Sequence, residues 1–346
     1  MSRVVLTGDE VASVRSLLRE LASRFRTPED PQFLKEADVY AHELPRRVRA
    51  AFREFRLTEP KDALLTVSGY PVDQDKIGRT PRHWRDRDPS NDTLEEEMLL
   101  VLFGSLLGDV IGWSTQQDGR IVHDIFPIQG HEHEQLGSGS EELLTWHTED
   151  AFHPFRGDYL GLMCLRNPDS VPTTFASLAR VRLTPEQVRL LSEPHFTIRP
   201  DESHLAKNRG QKNGHSPEEE ALLQRAYAKI DQMWSAPEKI PVFSGGAESP
   251  YIRLDPYFMD PVRDNDEAQA ALDELIRQVD QVIEDHALAP GDFIFVDNYK
   301  AVHGRKPFKA RFDGTDRWLQ RTFVVADLAA SAGERIGRVI TTRFDA

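Results

Sequence analysis

Residues 143–154 read LLTWHTEDAFHP, and the reading of the chain turns on His147 and Glu149, two residues apart. On a strand, side chains at i and i+2 point to the same face. A neutral imidazole and a carboxylate on one face can hold one divalent ion between them. The same pair also occurs on solvated edge strands, so a third ligand has to come from elsewhere in the chain.

Residues 291–308, GDFIFVDNYKAVHGRKPF, supply it. Gly291 and Asp292 read as a turn, Phe293 to Val296 as a buried strand, and His303 follows a short polar loop. His147, Glu149 and His303 then form a set of two histidines and one carboxylate. That is the composition of the facial triad of non-heme Fe(II) oxygenases, which leaves coordination positions open. A 2-oxoacid cosubstrate takes two of those positions and O₂ the last. The distal carboxylate of the cosubstrate needs a cation, and GTDRWLQRTF (314–323) offers Arg317 and Arg321. The planar guanidinium fork pairs bidentately with a carboxylate.

Composition narrows the partners. The 346 residues are 39% hydrophobic and 29% charged, the profile of a globular protein. A net charge of −14 argues against nucleic acid and anionic membrane, both of which need clustered positive charge. The single cysteine, Cys164, sits in the apolar run YLGLMCLRN and reads as a buried structural thiol. No segment approaches the length of a membrane span, and MSRVVLTGDEVASV lacks a signal-peptide core. These features predict a cytoplasmic protein.

Residues 1–110 read as mainly helical. TGDEVASVRSLLRELASRF has apolar residues at helical spacing and a Thr placed to cap it. NDTLEEEMLLVLFGSLLGDVIGW repeats the signal, with acids in its first turn. Between them DALLTVSGYPV reads as a strand. From about residue 112, short apolar runs separated by Gly, Pro and Asp give a β-rich pattern. Residues 197–215 read as a mobile lid, poor in apolar anchors. A helical insertion spans about 217–287. The expectation is an α+β chain of one oxygenase domain, 1–346, whose core over 111–330 is a double-stranded β-helix, or jelly roll, with flanking helices and a lid.

Two blocks, WHTEDAFHPFRGDYLGLMCLRNPDSVPTT (146–174) and VDNYKAVHGRKPFKARFDGTDRWLQR (296–321), resemble the clavaminate synthase-like branch of Fe(II)/2-oxoglutarate-dependent oxygenases. Within that branch the likeness is to hydroxylases of free amino acids, those acting on arginine, citrulline or asparagine. The resemblance covers roughly residues 100–330. It implies that His147, Glu149 and His303 bind iron, that Arg317 binds the 2-oxoglutarate C5 carboxylate, and that Arg321 binds the carboxylate of the amino acid. It further implies that Gln116 holds the α-amino group and that Thr174, beside Thr173, assists the cosubstrate. O₂ is the second cosubstrate.

The far end of the substrate falls to Asp201 in RPDESHL and Asp255 in YIRLDPYF. In the arginine hydroxylases of this branch, acids at the matching positions pair with the guanidinium. A carboxylate pair suits a cationic side chain, because an uncompensated buried charge is costly. Those enzymes carry a second acid two residues after the match to Asp255, where this chain has Tyr257. The resemblance therefore implies hydroxylation at C3 or C4 of L-arginine, in peptide natural-product biosynthesis, with citrulline or enduracididine as alternatives.

Other histidines lack ligand spacing. His131 and His133 in the Gly-rich IQGHEHEQLGSGS read as a solvated loop over the pocket, and His153, His204 and His215 as surface or loop residues. Asp150 reads as orienting the triad or a turn. The chain has no zincin motif, phosphate loop, dinucleotide fingerprint or nucleophile elbow. The reading from a different class is a cupin-like metal-binding module without catalysis, which would have no use for Arg317 and Arg321.

Overall fold

A computed structural model describes residues 2–87, 92–206, 217–246, 248–333, 335–336 and 338–340. The first long helix, Gly8–Arg24, starts where the sequence predicts. Thr7 accepts from Glu10 N, and Glu10 accepts in return from Thr7 N at 2.9 Å. The capping box satisfies two backbone donors that the helix itself leaves open. Val14, Leu17, Leu18 and Leu21 form its buried face.

The helix Leu94–Ser105 is buried on all sides from Met98 to Phe103. It ends earlier than its apolar run suggests, and Asp109–Trp113 is a strand. Gly108 makes the turn between them tight: a Cβ there would lie 2.2 Å from the carbonyl oxygen of Val325. Only glycine lets the chain reverse so close to a neighbouring backbone.

Two sheets form the β-core. The larger runs in the order Ser2–Val5, Leu64–Ser68, Phe293–Asp297, Tyr159–Arg166, Trp318–Val325, Asp109–Trp113, Val339–Ile340, Arg335–Ile336, and His123–Ile125 also pairs with Trp318–Val325. The smaller runs Glu284–His286, Thr173–Ser177, Ala301–Arg305, Leu144–His147. The N-terminal part is thus not only helical. It adds two strands to the edge of the larger sheet.

Strand parity sorts the side chains into three layers. Leu160, Leu162, Cys164, Ile294, Val296, Leu319 and Phe323 of the larger sheet meet Phe175 and Ala301 of the smaller one in a shared core. The alternate residues Tyr159, Met163, Leu165, Phe293 and Phe295 pack outward against the N-terminal helices. On the far side, Trp146, Ala176 and Val302 pack outward against the helix Asp266–Val282. Strands buried on both faces read as continuous apolar runs, which is why YLGLMCLR shows no alternation.

Asp266–Val282 ends short of the predicted helical insertion to about residue 287, and Glu284–His286 joins the smaller sheet instead. The helix Pro217–Ser235 lies where expected. Residues 207–216 of the predicted lid, His215 among them, lie outside the described residues. Its described part contradicts the expectation of poor packing: Ile198 and His204 are buried, and Phe196 just ahead of it is too. Among the described residues, no helix is long and apolar enough to cross a membrane. Cys164 is buried, its thiol pushed up to about 12 by burial, as expected of a structural residue.

Candidate metal centre and its cleft

His147 and His303 are directly opposed across antiparallel strands, with ring centroids 4.6 Å apart. Both stand on the inner face, in register with Phe175. Glu149 lies just past the strand end rather than on it. Asn298 holds it there: Glu149 N donates to Asn298 Oδ1 at 2.7 Å, and Asn298 Nδ2 donates to Glu149 O at 3.0 Å and Gly157 O at 2.8 Å. The next residue, Asp150, takes a left-handed φ of 49°, which turns the chain away.

The donor atoms of His147, Glu149 and His303 all lie within 4.8 Å of one another. Glu149 Oε2 is 3.0 Å from His303 Nε2 and 4.0 Å from His147 Nε2. That oxygen is buried and accepts no hydrogen bond. His147 Nδ1 donates to Thr145 O at 2.8 Å, which leaves Nε2 with its lone pair toward Glu149. An orphaned buried oxygen beside two imidazole nitrogens fits a divalent ion held by two histidines and a carboxylate. Burial opposes the charged form of Glu149, but Arg321 and the two histidines outweigh it and hold the carboxyl well below the usual range.

The triad lines a cleft of about 360 Å³, which also includes Gln116, Thr173, Asp201, Ser203, Asp255, Tyr257, Arg305, Arg317 and Arg321. Arg317, Leu319 and Arg321 share the face turned into it. Arg321 Nη1 donates to Glu149 Oε1 at 2.6 Å, and Nη2 to His123 Nδ1 at 3.2 Å. His123 is buried and, through burial and the charge of Arg321, held well below its usual pKa, so it stays a neutral acceptor.

Arg317 Nη2 donates to Thr173 Oγ1 at 2.9 Å, and its Nε has no partner. Burial brings the Arg317 pKa down to about 10. Arg305 falls to about 9, through burial first and the charge of Arg317 second. Arg305 donates only to the carbonyls of Ser140 and Glu142. Among the described residues no carboxylate pairs with either arginine. Such a cationic corner, short of compensating charge, is suited to an incoming anion.

Thr174 does not belong to this corner. On Thr173–Ser177 it shares its parity with Ala176, which packs outward toward the helix Asp266–Val282, whereas Thr173 faces the cleft. The period-2 alternation of a strand decides between the adjacent threonines.

Asp255 is buried in the cleft, and burial pushes its carboxyl up to about 6. Its carboxylate accepts from Phe258 N at 3.4 Å. Asp201 accepts from Ser203 N at 2.9 Å and also lines the cleft. Tyr257 stands beside them with 55% of its surface exposed.

The expectation of surface positions for His153 and His204 fails. Both are fully buried. His153 packs on Trp113 with ring centroids 4.5 Å apart, and His204 Nε2 lies 2.9 Å from Asp150 Oδ1. Neither His204 nor Asn298 carries a local sequence signal, since their partners are remote in the chain. His131 lines the cleft from its loop and bonds Ser138 at 2.9 Å, while His133 is exposed and bonds Glu142 at 3.1 Å.

Residues 95–323 match the model of the family described as "Taurine catabolism dioxygenase TauD, TfdA family". The chain belongs to the TauD/TfdA dioxygenase family. This dioxygenase is 46% identical to an enduracididine beta-hydroxylase of Streptomyces hygroscopicus, over 98% of each chain. It is 42% identical to an L-ornithine/L-arginine 3-hydroxylase of Catenulispora acidiphila, over 97% of each. Among solved structures, the non-heme iron oxygenase OrfP in complex with Fe, succinate and (3S)-hydroxy-L-Arg superimposes with a TM-score of 0.90. The identity is 43%, covering 98% of this dioxygenase and 100% of OrfP.

Proposed function

We propose that this dioxygenase uses Fe(II), 2-oxoglutarate and O₂ to hydroxylate C3 or C4 of a free L-amino acid, L-arginine above all, in cytoplasmic peptide natural-product biosynthesis. The observation that carries the reading is the charge pattern of one cleft. It joins a metal-ligand triad to a guanidinium corner (Arg305, Arg317) and to a buried carboxylate (Asp255), and among the described residues no salt bridge neutralises either. A cupin-like module that only held metal would have no use for either. The relatives named as hydroxylases of arginine or enduracididine support the same reading. The two sheets are then those of a double-stranded β-helix, and residues 1–346 act as one oxygenase domain.

In this reading His147, Glu149 and His303 hold the iron. Arg317, steadied by the Thr173 hydroxyl, binds the C5 carboxylate of 2-oxoglutarate. Arg321 receives the carboxylate of the amino acid, and Gln116 its α-ammonium group. Asp255 and Asp201 take the polar end of the side chain, so the substrate is held at both ends. The bound iron supplies the O₂ activation that side chains cannot. The protein's own part is to fix the target carbon beside the triad and to exclude water.

Tyr257 favours a second substrate reading. It places an aromatic ring, not a second carboxylate, beside Asp255. A ring suits a neutral ureido group or a cyclic guanidine, as in citrulline or enduracididine, as well as a guanidinium. Mass spectrometry of free amino acids incubated with the protein, Fe(II), 2-oxoglutarate and O₂ tests both readings. A mass gain of one oxygen on arginine supports the first. A gain confined to citrulline or enduracididine supports the second, and no gain on any amino acid rejects both.

A further inference from the structure

His204 is fully buried, yet it comes from the short turn Glu202–His204 at the head of the predicted lid. Its ring packs edge-on to Trp113, with centroids 5.5 Å apart, and to Phe152 at 4.8 Å. Nδ1 meets Thr115 Oγ1 at 2.7 Å, and Nε2 lies 2.9 Å from Asp150 Oδ1. One imidazole thus clasps three segments: the chain leaving Asp109–Trp113, the turn behind Glu149, and its own turn.

Gln116 sits where those segments meet. Its Nε2 lies 2.6 Å from Ser203 Oγ, 3.5 Å from Asp150 Oδ1 and 2.9 Å from His204 Nε2. Its Oε1 is buried and, among the described residues, has no hydrogen-bond partner. The Ser203 hydroxyl hydrogen is engaged by Asp201, so Ser203 Oγ can only accept from Gln116. The nearest group at that end of the amide, the Ser203 oxygen at 2.6 Å, can only accept and selects the nitrogen there, with the His204 ring edge and Asp150 Oδ1 beside it. The amide oxygen is left for a donor from the cleft, which Gln116 lines.

We infer that His204 is a positioning residue for α-amine recognition: by seating Ser203 and Asp150 it fixes the Gln116 amide with Oε1 toward the substrate ammonium. The inference rests on the proposed amino-acid substrate. It makes amine recognition depend on how His204 seats Ser203 and Asp150 beside the Gln116 amide.

The test uses His204→Phe, which keeps a ring against Trp113 and Phe152 and removes both nitrogens. Thr115→Val is the milder companion, removing only the Nδ1 partner. Calorimetric binding of L-arginine and of 5-guanidinovalerate, the same molecule without its α-amine, is measured on the anaerobic iron and 2-oxoglutarate complex. Wild type should favour arginine, and His204→Phe should lose roughly ten- to a hundredfold of that preference while binding 5-guanidinovalerate and 2-oxoglutarate as before. Thr115→Val should lose part of it, and Gln116→Ala should add little on top of His204→Phe. An unchanged preference in His204→Phe overturns the inference. So does equal weakening of both ligands, or additivity with Gln116→Ala, since each marks a merely structural histidine. If His204→Phe does not fold, an unchanged preference in Thr115→Val overturns it. Wild type that binds neither ligand, nor citrulline or enduracididine, overturns the proposed function together with this inference.

Discussion

Arg321 Nη1 donates to Glu149 Oε1 over 2.6 Å, while the other oxygen of that carboxylate faces the two histidines. One guanidinium therefore touches both the carboxylate of the candidate triad and the cleft. Among the described residues Arg317 has no such link and reaches the Thr173 hydroxyl. Arg321→Ala should weaken amino-acid binding and iron binding together, whereas Arg317→Ala should weaken 2-oxoglutarate alone. Each lost charge-assisted pair should cost about 1.5–3 kcal/mol. Titration of iron, 2-oxoglutarate and arginine against both variants measures this, and matching profiles for the two would refute the division of labour.

Replacing His147 or His303 by Ala should abolish iron binding and turnover. Both side chains project into the cleft, so the two sheets should survive the loss. Anaerobic iron stoichiometry and far-UV circular dichroism check the two halves of the statement. Near-native activity in either variant removes that histidine from the triad.

The adjacent threonines provide a test of strand parity. Thr173→Val removes the hydroxyl bonded to Arg317 and should weaken 2-oxoglutarate by about 1 kcal/mol, or roughly fivefold. Thr174→Val alters the opposite face and should leave that affinity unchanged. A larger loss from Thr174→Val would reverse the assignment.

Asp255 tests the charge of the substrate. With arginine, Asp255→Ala leaves a buried cation unpaired and should cost about 3–5 kcal/mol of transition-state binding. With citrulline it removes only an acceptor and should cost about 1–3 kcal/mol. Asp201→Ala should follow the same order with smaller effects, since Asp201 is only partly buried. Ratios of kcat/KM for the two amino acids give the comparison, and silence of both aspartates would place specificity elsewhere.

Asp297, at the end of Phe293–Asp297, is pushed up to about 7, chiefly by burial. Its unfolded value is near 3.8, so between these limits the folded protein binds the extra proton. Stability contributed by this protonation is present in full below about pH 4 and is lost as pH rises to 7. Asp297→Asn should remove that slope and add at most about 3–4 kcal/mol at neutral pH. Urea midpoints measured from pH 4 to pH 8 check the sign. A variant that keeps the wild-type slope would show that Asp297 does not cause it.

The triad was legible because its chemistry is written in residue type and spacing. His147 and Glu149 stand two apart, and His303 follows an apolar strand that only a core position explains. Arg317 and Arg321 were legible for a related reason: with Leu319 between them they keep one parity, so a single face carries both charges into the cleft. The helices announced themselves through local rules such as the Thr7 cap, which depend on residues three or four apart.

The sequence by itself determined the candidate metal set, the two cleft arginines and the alternation of helix and strand, because each depends on neighbours along the chain. Only the tertiary structure decided that Thr173 rather than Thr174 faces the cleft, that Asn298 holds Glu149 past its strand end, and that His204 is a buried clasp instead of a loop histidine. Those outcomes depend on which segments the two sheets bring together. His204 lies 89 residues from Thr115 and 54 from Asp150, and no pattern along the chain encodes a hydrogen bond across such distances. Burial made the difference: a histidine in a polar, Gly-rich stretch looks solvated until packing removes its water and leaves protein groups as its only partners.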